Sequence, residues 1–142
     1  MGQFGREFGE RARRLAVNVI RMCAGVPRNA AAWELTRQVV RSSNSICANL
    51  EEAQGAISNP DFVNKVNIAR KEARETHMWL RNVHDSGLMT GATIEGLITE
   101  ANEIVSILVA SIRTLQRKNA ETATKRRRST RDSRLAIRDS EV

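Results

Sequence analysis

The segment from Ser42 to Leu88 constrains the fold most, because it joins two amphipathic helical patterns through one short turn. Apolar residues recur every three or four positions on both sides of a turn at residues 58–60, as on one face of an α-helix. So short a turn makes the two helices antiparallel neighbours that bury their apolar faces against each other. One helical hairpin cannot cover both faces, so the rest of the chain must pack on it.

Two further helices are predicted from apolar spacing and from the residues that start and stop helices. A first helix covers residues 5–23 and cannot continue through Pro27. The second helix begins after Asn29, the third has Asn59 as its predicted N-cap, and the fourth begins after Thr93. The sequence therefore predicts an all-α protein, an antiparallel up-down-up-down four-helix bundle.

The apolar pattern fades near residue 120, which divides the 142-residue chain into two parts. We expect residues 1–120 to form the bundle and residues 121–142 to form a basic C-terminal tail. The tail holds the run Lys125-Arg126-Arg127-Arg128 and few apolar residues, a composition typical of disorder or of a frayed helix.

The chain carries a formal charge of +7, with 23 Lys and Arg against 16 Asp and Glu. A positive excess indicates an anionic partner, and the arginine fork suits phosphates. Two alternatives stay open: the arginine excess can follow from genome base composition, and basic helix faces are often only solvated and salt-bridged. The predicted nucleic-acid contacts are Arg14, Arg21, Arg37, Arg41, Arg70, Arg74, Arg81, Lys125, Arg126, Arg127, Arg128 and Arg131.

Nothing in the sequence forms a metal-binding or catalytic motif. His77 and His84 are separated by two helical turns, roughly 10 Å, which is too far for both to bind one ion. No nucleophile with a base, no phosphate-binding loop and no zinc motif is present. We therefore expect a noncatalytic protein without a metal ion or other cofactor.

Four glutamates are candidates for the carboxylates of a di-iron bundle, but they lack the Glu-x-x-His pairs of such sites. Ion pairs with basic residues are the predicted role of these carboxylates. The predicted partners are Arg41, Arg70, Arg74 or Lys71, with Lys71 and Glu75 as a pair four residues apart. Glu52 is a candidate partner for an arginine. The four glutamates are Glu51, Glu52, Glu72 and Glu75.

Cys23 and Cys47 each lie in an apolar helical context, which predicts small buried thiols rather than a disulfide. The N-terminus lacks the apolar core of a signal peptide, and no apolar run approaches the roughly 20 residues of a membrane span. We expect a cytoplasmic protein with no membrane partner.

Two runs of this chain carry a family resemblance. The run from Ser45 to Ala53 (SICANLEEA), with Gly55, Ser58 and Asp61-Phe62, resembles the signature of a bacterial four-helix-bundle family, the ribosomal RNA intervening-sequence proteins. The run over residues 68–80 (IARKEARETHMWL) resembles one branch of that family. The resemblance extends over about residues 15–115 and is absent from the last two dozen.

This resemblance implies a fold and a set of partners. The family is related to the accessory variability protein of diversity-generating retroelements, which works beside a reverse transcriptase and whose relatives form pentameric rings with a positive surface. The resemblance thus implies a homo-oligomer, with a pentamer expected, that binds RNA or DNA through phosphates. A reverse transcriptase is a further candidate partner. The alternative is a protein-interaction scaffold without direct nucleic-acid binding.

Overall fold

The structure, a computed structural model, describes residues 3–140 and contains four α-helices within them. They are α1 (Gln3–Cys23), α2 (Ala30–Gln54), α3 (Asn59–Asp85) and α4 (Ala92–Ser140). No strand occurs among the described residues, so the all-α prediction is confirmed. These residues form two compact units, 3–109 and 110–140, and α4 contributes to both.

Helices α2 and α3 pack antiparallel in the first unit. The Ser42 hydroxyl lies 2.8 Å from that of Thr76, and Glu52, ten residues later on α2, pairs with Lys65 near the start of α3. Later residues of α2 therefore meet earlier residues of α3. This is the predicted helical hairpin.

Residues 92–109 of α4 close the bundle against the helices on either side. Arg11 of α1 donates a hydrogen bond from Nε to Glu100 at 2.6 Å, and His84 of α3 lies 3.6 Å from Glu95. Helix α1 also packs on α2. Each helix thus contacts its two neighbours, and the four-helix bundle prediction is confirmed.

The core of the first unit is aliphatic, and every helix contributes to it. Leu15, Ile46, Leu80, Ile94 and Ile104 are all fully buried. Burial of such a side chain stabilises the fold by about 1.5–3 kcal/mol. The apolar spacing in the sequence therefore marks the faces that the bundle buries.

The N-caps of α2 and α3 follow local sequence, with one correction. The Asn29 side chain accepts a hydrogen bond from the Ala32 amide at 2.9 Å, as predicted. At α3 the cap is Ser58, whose hydroxyl accepts from the Asp61 amide at 3.2 Å, so the prediction of Asn59 is wrong. Pro60 has no N–H to be capped, and a serine at position 58 reaches the next amide.

Gly87 and Gly91 shape the connection from α3 to α4. Their φ angles of 77° and 103° lie in the left-handed region that favours glycine. The Gly91 carbonyl accepts the first bond of α4, from the Glu95 amide at 3.2 Å. Helix α4 consequently begins at Ala92, slightly earlier than the predicted start after Thr93.

The second unit is a helix, which differs from the disordered or frayed tail expected from the sequence. Helix α4 continues to Ser140, and every described side chain after Leu115 is exposed. The chain has neither glycine nor proline after Gly96 and is rich in strong helix formers, so nothing local ends the helix. The domain boundary at residue 120 stays a prediction, and residues 141–142 lie outside the described part of the chain.

Candidate nucleic-acid interface

The positive charge of the chain is concentrated after Val109. Residues 1–109 contain 13 basic and 12 acidic residues, whereas residues 110–142 contain 10 basic and 4 acidic residues. The chain up to Val109 is therefore almost neutral. Nearly the whole excess of positive over negative charge lies in residues 110–142, the segment that includes the second unit.

Helical spacing gathers arginines onto one side of the second unit. Arg127, Arg131, Arg134 and Arg138 follow one another at steps of four, three and four residues, which places them on a single helix face. All four side chains are exposed. We call these four residues the arginine stripe.

Four of the five predicted tail residues lie on or beside this stripe. Arg127 and Arg131 belong to it, and Arg126 and Arg128 flank it, whereas Lys125 lies on the opposite side of the helix, about 160° from Arg127. Arg134 and Arg138 were not among the predicted contacts. Their spacing from Arg127 is the signal that identifies them.

In the bundle, Arg14 and Arg21 line one groove between α1 and α4. The groove has a volume of about 730 Å³, and Asn18, Gly96 and Leu97 also contribute to it. Both arginines are exposed. This groove brings together the two basic residues predicted on the first helix.

Arg11 borders the same groove but is matched by carboxylates. Its guanidinium donates from Nη2 to Glu100 at 2.9 Å and also pairs with Glu103. The hydrogen bond to Glu100 raises the pKa of Arg11. Sequence reasoning could not find this cluster, because Arg11 and Glu100 are 89 residues apart.

Arg41 is also held by carboxylates, and this limits its use as a phosphate contact. It donates to Glu72 at 3.2 Å and pairs with Glu75, both on α3. The hydrogen bond to Glu75 raises the pKa of Arg41. The predicted pairing of Arg41 with these glutamates is confirmed.

Two other predicted ion pairs are wrong. Glu52 pairs with Lys65 rather than with an arginine. Glu75 does not pair with Lys71; it bonds instead to Arg41 and accepts a hydrogen bond from Trp79 Nε1 at 3.1 Å. Contacts between helices replace the pair predicted within α3, because Glu75 faces α2.

The remaining predicted arginines of the bundle lie on α2 and α3. Arg70 is half-buried and donates from Nε to Asn67 at 3.0 Å. Arg37 lies on α2, and Arg74 and Arg81 lie on α3; all three are exposed. Arg70, Arg74 and Arg81 share one face of α3 by their spacing of four and seven residues, whereas the stripe of the second unit has four arginines at steps of three and four.

The titratable groups of residues 3–140 form no cluster of three or more that could hold a metal ion. Cys23 and Cys47 are free and half-buried, and burial raises the pKa of each thiol, so neither resembles an activated nucleophile. None of the helices described is long and apolar enough to cross a membrane.

Comparison with known proteins places the bundle in a family. Residues 7–110 match the sequence model of the 23S rRNA-intervening sequence proteins. The chain belongs to this family. The match ends at residue 110, so the arginine stripe lies outside the part that defines the 23S rRNA-intervening sequence proteins.

A solved relative has the same fold. The crystal structure of a protein with unknown function from the S23 ribosomal protein family of Bacteroides thetaiotaomicron VPI-5482 has 30% sequence identity and a TM-score of 0.70. The match covers 77% of this chain and 97% of the relative. No curated protein matches the chain. The relationship to the accessory variability protein stays a prediction.

Proposed function

We propose that this member of the 23S rRNA-intervening sequence protein family is a noncatalytic accessory protein that binds nucleic acid through phosphate contacts. One observation carries the proposal: residues 110–142 hold 10 basic residues against 4 acidic ones, and the described side chains of α4 after Leu115 are exposed. Exposed arginines on a helix are suited to phosphate oxygens.

The bundle has a secondary role in this proposal. Arg14 and Arg21 border one groove, and Arg37, Arg74 and Arg81 are exposed, so they are available as additional phosphate contacts. Arg41 contributes less because Glu72 and Glu75 already neutralise it.

Self-association is the second part of the proposal. Trp33 is 71% exposed and Ile20 is 49% exposed in the single chain, so both offer apolar surface to another copy. Packing between copies of the bundle would cover them. A pentamer and a reverse transcriptase partner remain expectations from the family resemblance.

A protein-interaction scaffold is the second candidate, and the same exposed tryptophan favours it. Tryptophan is enriched among the residues that contribute most to protein–protein binding. In that case the partner would be another protein, and the basic helix would only keep the bundle soluble.

Salt dependence separates the two candidates. Fluorescence-anisotropy titrations with a structured RNA and a DNA duplex should be run from about 50 to 200 mM salt. We expect binding that weakens steeply with salt, because each neutralised phosphate releases counterions. Absence of binding at the lowest salt would overturn the proposal and favour the scaffold.

A further inference from the structure

The arginine stripe is about as long as the part of a nucleic-acid duplex that a helix can contact within one groove. Arg127 and Arg138 are 11 residues apart, which corresponds to about 16 Å along a helix. That distance matches roughly five base pairs of a duplex at about 3.4 Å per step. The four arginines therefore present their charges over about half a helical turn of nucleic acid.

Two flanking arginines widen the basic surface symmetrically. Arg126 and Arg128 are the direct neighbours of Arg127, so they project about 100° to either side of the stripe. Glu121 and Asp132 lie off the stripe, about 120–140° around the helix from Arg127 and on the same side as Arg128. A helix charged in this way matches a groove with a phosphate strand on each side.

The composition of the segment argues against single-stranded ligands. Proteins that bind single strands stack the bases on aromatic side chains. Residues 110–142 contain no Phe, Trp or Tyr. The second unit has cationic donors but no aromatic side chain on which a free base can stack.

We infer that the second unit binds double-stranded DNA, with the helix in the major groove, the arginines of the stripe reaching the phosphates that border it, and Arg126 and Arg128 directed at opposite phosphate strands. The inference rests on the proposed function and names its ligand. The major groove of B-DNA is about 12 Å wide and admits an α-helix, whereas the deep, narrow major groove of A-form RNA does not. Most contacts are to phosphates, so dependence on base sequence is weak.

Two full-length variants with equal net charge test the assignment. In the stripe variant, Arg127, Arg131, Arg134 and Arg138 are each replaced by Gln. The control variant makes the same replacement at four exposed basic residues of the bundle that lie outside the predicted contacts: Arg6, Arg13, Arg28 and Lys71. Helicity measured by circular dichroism checks that both variants fold.

The probes are a labelled 24-base-pair DNA duplex, the same sequence as an RNA duplex, and one of its strands alone as DNA and as RNA. Wild-type protein should bind the DNA duplex at least about tenfold more tightly than the other three probes. The stripe variant should lower the slope of log affinity against log salt by about 3–4, since each lost phosphate contact changes it by about 0.9. The control variant should change that slope by less than about 1.

Each remaining outcome has one meaning. Equal or tighter binding of RNA or of single strands overturns the duplex-DNA assignment and leaves the proposed function standing. Equal loss in both variants shows that net charge, not the stripe, is responsible and also overturns the inference. No binding of any probe at low salt overturns the proposed function itself.

Discussion

The hydroxyl oxygens of Ser42 and Thr76 lie 2.8 Å apart between α2 and α3, and both side chains are fully buried. Each hydroxyl also reaches a carbonyl of its own helix, Val39 for Ser42 and Glu72 for Thr76. Small polar residues thus let the two helices approach closely without leaving a buried polar group unpaired.

Ser42→Ala and Thr76→Val should each lower the free energy of unfolding by about 0.5–1.5 kcal/mol, the usual net contribution of one buried hydrogen bond. The double variant should lose less than the sum of the two, because each single change already breaks the shared bond. Urea unfolding at one protein concentration measures all four proteins. Strict additivity would show that the two hydroxyls do not interact.

The two histidines should titrate on opposite sides of the ordinary value of about 6.5. The hydrogen bond to Asp85 raises the pKa of His84, and Glu95 adds to this effect, whereas burial and then Arg81 lower the pKa of His77. The chain has only two histidines, so NMR titration with His84→Asn assigns both signals. Coincident titration curves for His77 and His84 would contradict the opposite shifts of their pKa values.

These shifts also set the sign of a pH effect on folding. The stabilisation from protonated His84 is complete below its unfolded pKa and is lost as pH rises through the raised folded pKa. His77 acts in the opposite sense: its neutral form is favoured, so stability is lost as pH falls below its unfolded pKa. His84→Asn should therefore reduce the loss of stability as pH rises above about 6.5.

Trp79 should report the protonation of Glu75 in acid. Burial raises the pKa of Glu75, but hydrogen bonds from Trp79 and Arg41 outweigh burial and leave that pKa lowered. The stabilisation is present above the unfolded pKa of about 4.3 and is lost as pH falls through the folded value. The ion pair between Glu75 and Arg41 is partly exposed, so it contributes at most about 1 kcal/mol to the free energy of unfolding.

Replacement of Trp33 by Phe leaves Trp79 as the only tryptophan and makes this measurable by fluorescence. Emission should change with a midpoint below the ordinary glutamate pKa, and Glu75→Gln should abolish the change. A transition that persists in the Glu75→Gln background would mean that another group controls the indole.

The bundle could be predicted from the sequence because the spacing of apolar residues within each helix shows which face is buried. Steps of three and four residues mark the faces that bury Leu15, Ile46, Leu80 and Ile104. The cap of α3 was misplaced by one residue, since both Ser58 and Asn59 are good caps and only geometry separates them.

The candidate site could be predicted only in part. The charge run at residues 125–128, and the arginines that follow it to Arg138, are visible in the sequence, but their density indicates disorder, and helical spacing selects Arg134 and Arg138 only once the segment is known to be a helix. The partners of Arg11 and Arg41 lie on other helices, 89 and more than 30 residues away. Such ion pairs depend on how the helices pack against each other, so no pattern of neighbouring residues in the sequence predicts them.

Trp33→Ser should lower the oligomer mass if copies of the bundle associate through exposed apolar side chains. Ile57→Ser is the matched control, because Ile57 is 96% exposed and lies in the connection between α2 and α3. Light scattering after size exclusion measures the mass, and neither change should lower unfolding stability by more than about 0.5 kcal/mol. Equal masses for wild type and Trp33→Ser would remove this residue from the interface.

Deletion of residues 121–142 should leave the bundle folded and remove tight nucleic-acid binding. The shortened chain ends at Ala120 and keeps the buried Ile112, while the removed residues described in the structure are all exposed. The free energy of unfolding should therefore change by less than about 0.5 kcal/mol, as for surface changes. The number of protomers per oligomer should stay the same.

Thermal melts, light scattering and anisotropy on one preparation separate stability, assembly and binding. A bundle that melts or dissociates after this deletion would show that the basic helix is structural, and binding that persists unchanged would assign the phosphate contacts to the arginines of the bundle.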